Sequence, residues 1–98
     1  MTINKNRNGS ALIIALEGRL DTTTAPELEK ELRDGLAGVT ALTLDFAKLE
    51  YISSAGLRVL LGAHKQMSKQ GEMKVTNIND IVGEVFEVTG FADILNIE

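Results

Sequence analysis

Apolar residues fall into blocks separated by polar, glycine-containing breaks, and two spacings alternate from block to block. Ala11 to Glu17 is an aliphatic, β-branched run ended by Gly18, the pattern of a strand buried on both faces or nearly so. Ile3 and its neighbours suggest an edge strand before it. Thr24-Ala25-Pro26-Glu27 then has the form of a helix start. Thr24 can cap, Pro26 sits in the first turn, and Glu27 completes a capping box. Ala25, Leu28, Leu32 and Leu36 follow at helical spacing, with Glu29, Lys30, Arg33 and Asp34 on the other side and Gly35 and Gly38 as the stop.

Val39 to Phe46 alternates around Leu42, Leu44 and Phe46 and predicts an interior strand, with a loop from Ala47 to Ser54 after it. From Ala55 to about Gln70, Leu57, Val59, Leu60, Leu61, Ala63 and Met67 gather on one side of a second helix, opposite Arg58, Lys65, Gln66 and Lys69. Gly71 ends it. Lys74 to Ile78 reads as a third core strand. Asn79 or Asp80 caps a third helix carrying Ile81, Val82, Val85 and Phe86, which stops at Gly90, and Ile94 to Ile97 supplies a last short strand. Strands alternating with helices imply parallel neighbours joined by right-handed crossovers, so the fold class is α/β. A chain of 98 residues has room for one core, and the whole of 1–98 is taken as one domain.

Composition narrows the function. Aromatic residues are 4% of the chain, too few for base-stacking platforms, and a net charge of -4 repels a phosphate backbone, so nucleic acid is not an expected partner. The absence of cysteine removes disulfides, thiolate metal sites and thiol nucleophiles, and fits a reducing compartment, the cytoplasm. The longest apolar run, Ala11 to Leu16, is far short of the ~20 residues that span a bilayer. The first residues lack the apolar stretch of an export signal, so neither a membrane association nor secretion is expected.

Two segments can carry chemistry. In Leu44 to Leu57 a buried strand leads to two adjacent hydroxyls, Ser53 and Ser54, at the start of a helix. The first-turn amides and the helix dipole favour an acceptor or an anion there. The plainer role for either serine is a helix cap. Gly56, just inside the helix, costs roughly 1 kcal/mol against alanine and implies close approach of a partner or a neighbouring strand. The second segment, Gly18 to Thr24, also joins a strand to a helix. Loops after parallel strands share one sheet edge, so the two segments should be neighbours, although Asp21 and the threonines can equally serve ordinary turn chemistry.

An enzyme is not expected. Ile52 occupies the first position of what would be a Gly-x-Ser-x-Gly elbow. The single histidine, His64, lies about 15 Å along the helix axis from Ser54 and reads as a packed, partly buried residue. No metal-ligand set and no nucleotide-binding loop is present, and no cofactor is expected.

Gly18-x-Leu20-Asp21-x-x-x-Ala25-x-x-Leu28, then Leu42-x-Leu44-Asp45-Phe46, Tyr51-Ile52-Ser53-Ser54-Ala55-Gly56-Leu57 and Val59-Leu60-Leu61 resemble the STAS domain of anti-sigma factor antagonists. Gly71 before a strand and Phe86-x-x-x-Gly90-Phe91 continue the similarity. The resemblance implies a mixed, mostly parallel sheet of four to five strands with helices mainly on one face. It implies a regulator of transcription that is a phosphoprotein, modified at Ser54, with Ser53 as second choice, by an anti-sigma factor serine kinase and restored by a serine phosphatase. The unmodified form, a monomer when free, binds the anti-sigma factor and releases the sigma factor. The implied partner-binding residues are Asp21, Thr22, Thr23, Thr24, Ile52, Ser53, Ser54, Ala55, Gly56 and Arg58. Where family members often carry aspartate before the modified serine, this chain has Ser53. That keeps open an alternative, a STAS scaffold or accessory subunit of a stress-sensing or lipid-transport assembly that binds without phosphorylation. The chain also ends soon after its last expected strand, where members with a fuller final helix carry more surface.

Overall fold

A computed structural model describes residues 1–98. Five strands form one sheet in the order β1-β2-β3-β4-β5: β1 (Thr2–Asn8), β2 (Ala11–Leu20), β3 (Ala41–Ile52), β4 (Glu72–Thr76) and β5 (Asn96–Ile97). Helices α1 (Ala25–Gly35), α2 (Ser54–Gln70) and α3 (Asp80–Thr89) connect the last four strands, with a 3-10 turn at Phe91–Asp93. β1 and β2 form an antiparallel hairpin through Gly9, at φ +63°, and the remaining pairs are parallel. Each parallel connection advances one strand in the same direction across the sheet. Right-handed crossovers then lay all three helices on the same face.

The burial pattern records that one-sidedness. Leu12, Ile14 and Leu16 of β2, Leu42, Leu44 and Phe46 of β3, and Met73 and Val75 of β4 point into an aliphatic core with Leu28, Leu32, Leu57, Leu60, Met67, Val82 and Phe86. The intervening residues face solvent. β2 is therefore half-buried, not covered on both faces as its sequence suggested: Ile13 is 44% exposed, because no layer lies over the outer face. Ile81, expected on the apolar side of α3, is 58% exposed, while Val82 and Phe86 fill the contact.

Strand limits also differ from the sequence expectation. β3 does not give way to a loop at Ala47 but continues to Ile52, and β2 runs past Gly18 to Leu20. Between Ala15/Asp45 and Glu17/Lys48, and again between Gly18/Leu49 and Arg19/Tyr51, β3 carries one residue more than β2. These bulges change the inward spacing from two to three, so Leu49 and Ile52 are buried after Phe46. β4 stops at Thr76 because Asn77 takes a left-handed conformation, φ +59°, which asparagine tolerates better than most residues.

The helix ends follow local chemistry. Asn79 caps α3 by accepting from the Val82 amide at 2.7 Å, and Gly90 closes it at φ +82°. The expected capping box of α1 is not formed, since the Thr24 hydroxyl is engaged with the Asp21 amide and the Arg19 carbonyl. Gly71 follows α2 and is a steric requirement: a Cβ there would lie 2.0 Å from the Thr40 carbonyl oxygen, which accepts the Glu72 amide. Since that contact is with backbone, Gly71→Ala is expected to cost about 1–3 kcal/mol, as overpacking does. Urea unfolding followed by circular dichroism checks it, and a midpoint equal to wild type would contradict the assigned geometry.

Candidate functional site

The carboxyl ends of β2, β3 and β4 bring three connections to one edge of the sheet. The β2–α1 turn, Asp21 to Thr24, is built around one carboxylate. Asp21 Oδ1 accepts from the Thr23 amide at 3.0 Å, the Thr23 hydroxyl at 2.7 Å and the Thr24 amide at 3.2 Å. The Asp21 backbone carbonyl meanwhile accepts from the amides of Thr24 and Ala25, which launches α1. These bonds are the turn chemistry that the sequence allowed, and they fix a surface on which Thr22 and Thr23 are exposed. The Thr23 hydroxyl, followed by the two amides, holds the Asp21 carboxyl below its ordinary pKa, against an opposing desolvation effect.

The β3–α2 junction abuts this turn. The Ser53 amide donates to the Leu20 carbonyl at 2.9 Å, which ties the end of β3 to the end of β2. Ser53 is the N-cap residue in extended conformation, φ -98° and ψ 176°, but its side chain makes no capping bond. The Ser53 hydroxyl oxygen is buried without a hydrogen-bond partner. Ser54, the first helical residue, is exposed. Neither serine therefore serves as the expected side-chain cap, and the first turn of α2 contains no acidic residue. The positive end of a 17-residue helix is left without a side-chain anion.

Gly56 has a concrete reason to be glycine. A Cβ at this position would lie 2.7 Å from Leu20 Cγ and 2.8 Å from Ile52 Cγ1, so α2 can seat on the ends of β2 and β3 only without a side chain. Of the two reasons open in the sequence, the neighbouring strands account for it. Ile52 and Gly56 are themselves buried, so they shape the edge from below and offer no contact surface, in contrast to the binding role the resemblance gave them. Asp21, Ser53 and Ala55 are partly exposed, and Arg58 is exposed one turn into α2.

Further contacts at this edge were not read from the sequence. Arg19 stacks 4.6 Å from the centre of the Tyr51 ring across the β2–β3 pair, with Asp21 Oδ2 4.0 Å from its Nε. Asp45 Oδ1 accepts from the Ala47 amide and the Asn77 side-chain amide, each at 3.0 Å, and so spans the first bulge of β3 and the turn after β4. The Asn77 contact, with the Ala47 amide second, lowers the Asp45 pKa, again against desolvation. Asn79 reaches the Leu49 carbonyl at 3.0 Å while capping α3. The signals available were Asp45 between two inward apolar residues and two asparagines three residues or fewer past a strand.

A family model for the STAS domain matches residues 2–98. The chain belongs to the STAS domain family. A candidate anti-sigma factor antagonist of Bordetella bronchiseptica, BtrV, is 37% identical over 99 residues, covering 99% of this chain and 85% of that protein. The anti-sigma-B factor antagonist of Listeria monocytogenes is 30% identical over 100 residues, covering 96% of this chain and 84% of the relative. Among solved structures, the Bacillus cell fate determinant SpoIIAA in its phosphorylated form superposes with a TM-score of 0.77 over 99% of this chain and 91% of that one, at 18% identity, and shares the fold. The STAS domain of this chain thus presents Ser54 on an edge whose supports are buried. No helix is long and apolar enough to cross a membrane.

Two outcomes follow from the edge geometry. Gly56→Ala should lower stability by about 1–3 kcal/mol, because Leu20 and Ile52 are both core residues with little room to yield. Thermal unfolding measures this, and an unchanged midpoint would refute the close approach. The second outcome concerns acid. Both Asp21 and Asp45 have folded pKa values below the unfolded one near 3.9, so the stability they contribute is present above about pH 4 and lost as pH falls through the lower folded values. Carboxyl carbon chemical shifts should show midpoints below 3.9 for both, with the Thr23 and Ala47 amides moving in step. Midpoints at or above 3.9 would contradict the bonding described.

Proposed function

We propose that this protein is a cytoplasmic anti-sigma factor antagonist whose partner binding is switched by phosphorylation of Ser54. The observation that carries the reading is the exposure of Ser54 at the open amino end of α2, between the β2–α1 turn and Arg58. In its unmodified form the domain binds an anti-sigma factor that is also a serine kinase, and the sigma factor is released. Contacts come from Thr22, Thr23, Ser54, Ala55 and Arg58, with the exposed parts of Asp21, Thr24 and Ser53. The names of the relatives support the antagonist role.

The choice between the serines rests on access. A kinase must bring the hydroxyl to a bound nucleotide, and the Ser53 oxygen is buried whereas Ser54 stands in solvent. A phosphate on Ser54 adds about -1.5 to -2 charges and three acceptor oxygens. Against this domain it meets unoccupied first-turn amides and the positive helix end, so the fold tolerates it. Against a docked partner it meets desolvation and, where the partner is acidic, repulsion. A loss of ~3 kcal/mol there weakens binding about a hundredfold. A serine phosphatase then returns the binding form.

The second reading, a STAS scaffold that binds without modification, is favoured by Ser53 where family members often carry aspartate. Incubation with ATP and the cognate kinase separates the two. The switch predicts a gain of about 80 Da on the peptide containing Ser54, abolished in Ser54→Ala, and an Ser54→Asp variant that binds the anti-sigma factor at least tenfold more weakly. No mass gain, with Ser54→Asp binding as tightly as wild type, would establish the scaffold instead.

A further inference from the structure

Arg58, the cation nearest to Ser54 on helix α2, is exposed and has no partner within the molecule. Ion pairs join Lys5 to Glu31, Arg19 to Asp21, Arg33 to Glu29 and Lys74 to Glu98, and Arg58 takes part in none of them. Nor does its side chain donate a hydrogen bond, although it lines the groove between α1 and α2 together with Glu29, Arg33 and Gln66. The one carboxylate in that groove, Glu29, is engaged by Arg33 at 3.7 Å. Arg19, the other cation at this edge, is held on the Tyr51 ring beside Asp21. Arg58 therefore stands uncommitted, and it stands four residues after Ser54 in one continuous helix.

Positions four apart on a helix are surface neighbours, about 5–6 Å between Cβ atoms, and the favourable order puts the anion nearer the amino end. We propose that a phosphate on Ser54 is captured by the Arg58 guanidinium of the same chain, so that modification withdraws a cation from the docking face while adding an anion to it. The inference rests on the phosphorylation reading above and adds the intramolecular acceptor. Guanidinium and phosphate match in geometry, since two parallel N–H groups meet two oxygens, and the bare first-turn amides of α2 supply donors on the other side of the phosphate. Before modification Arg58 is free to pair with a carboxylate of the partner. Afterwards that carboxylate faces a phosphate and a cation already turned toward it. The two effects act in the same direction, which lets one group transfer weaken docking more than its own charge would.

Translational incorporation of phosphoserine at position 54 tests the capture without any kinase. Phosphorus NMR should give a second phosphate pKa lower by about half a unit in the otherwise wild-type chain than with Arg58→Gln, and Arg58→Lys should restore part of the shift. The remaining charged groups at this edge, Asp21, Glu29, Arg19 and Arg33, are the same in all three chains, so the difference isolates position 58. Equal midpoints in the three chains would overturn the proposal. Binding to the anti-sigma factor gives the second readout. The weakening caused by phosphoserine should shrink by threefold or more in the Arg58→Gln background, and an undiminished weakening would overturn the withdrawal of the cation. Should the kinase fail to modify Ser54 at all, the mass measurement reports that separately, because the titration uses a phosphate placed during synthesis.

Discussion

The parallel pairing of β2 with β3, and the two extra residues that β3 accommodates along it, is the constraint on which the site depends. Without the bulges, β3 would keep its period of two past Phe46 and send alternate apolar residues outward. With them, Leu49 turns into the core in place of Lys48 and Glu50, Ile52 follows it on the same face, and the Ser53 amide closes on the Leu20 carbonyl. Helix α2 begins at the next residue. Its position is then set from below by Leu20 and Ile52, which leave no space for a Cβ at residue 56. Register, bulge, backbone bond and missing side chain form one chain of causes that ends with Ser54 in solvent.

Polar groups outside the core hold this arrangement together. Asp45 lies on the uncovered face of the sheet, where a carboxylate remains hydrated, and it bonds the amide just past the strand's first irregularity. Through Asn77 the same carboxylate fixes the turn after β4, and Asn79 in that connection bonds the end of β3. The β4–α3 connection is thus tied to two points along β3 that are distant from it in sequence. A side chain that bonds a bulge amide stabilises a backbone group that the regular ladder has abandoned, which is why one exposed aspartate matters to residues eight positions away.

The helices were largely legible in the sequence because a period near 3.6 survives intact along each of them. Ala25, Leu28, Leu32 and Leu36 are all buried, as are Leu57, Leu60, Ala63 and Met67. Strand limits were not, since inward positions at 42, 44, 46, 49 and 52 lose the strand rhythm at the third interval and resemble a loop. Ile13 misled for a different reason: a sheet covered on one face tolerates an apolar residue on the other, and alternation is then masked. At the site, the hydroxyl pair and the unusual glycine could be read from residue types. Which serine hydroxyl is buried could not, because one residue's difference at a strand-to-helix junction turns a hydroxyl from the interior to the solvent.

That junction also explains why α2 lacks the cap its neighbour α3 has. An N-cap side chain typically contributes about 1 kcal/mol, and Ser53 is a residue type suited to supply it, yet its hydroxyl forms no such bond. The long apolar face of α2 offsets the deficit, as each fully buried Leu, Met or Val contributes roughly 1.5–3 kcal/mol. A helix anchored by packing can leave its amino end open, and an open positive end is where a dianion is least disruptive to the domain that carries it. The same phosphate has no comparable compensation on the partner's side of the interface. The asymmetry required of the proposed switch, a modified domain that keeps its fold and loses its partner, thus arises from how stability is distributed along α2: concentrated in the buried face, and withheld from the first turn.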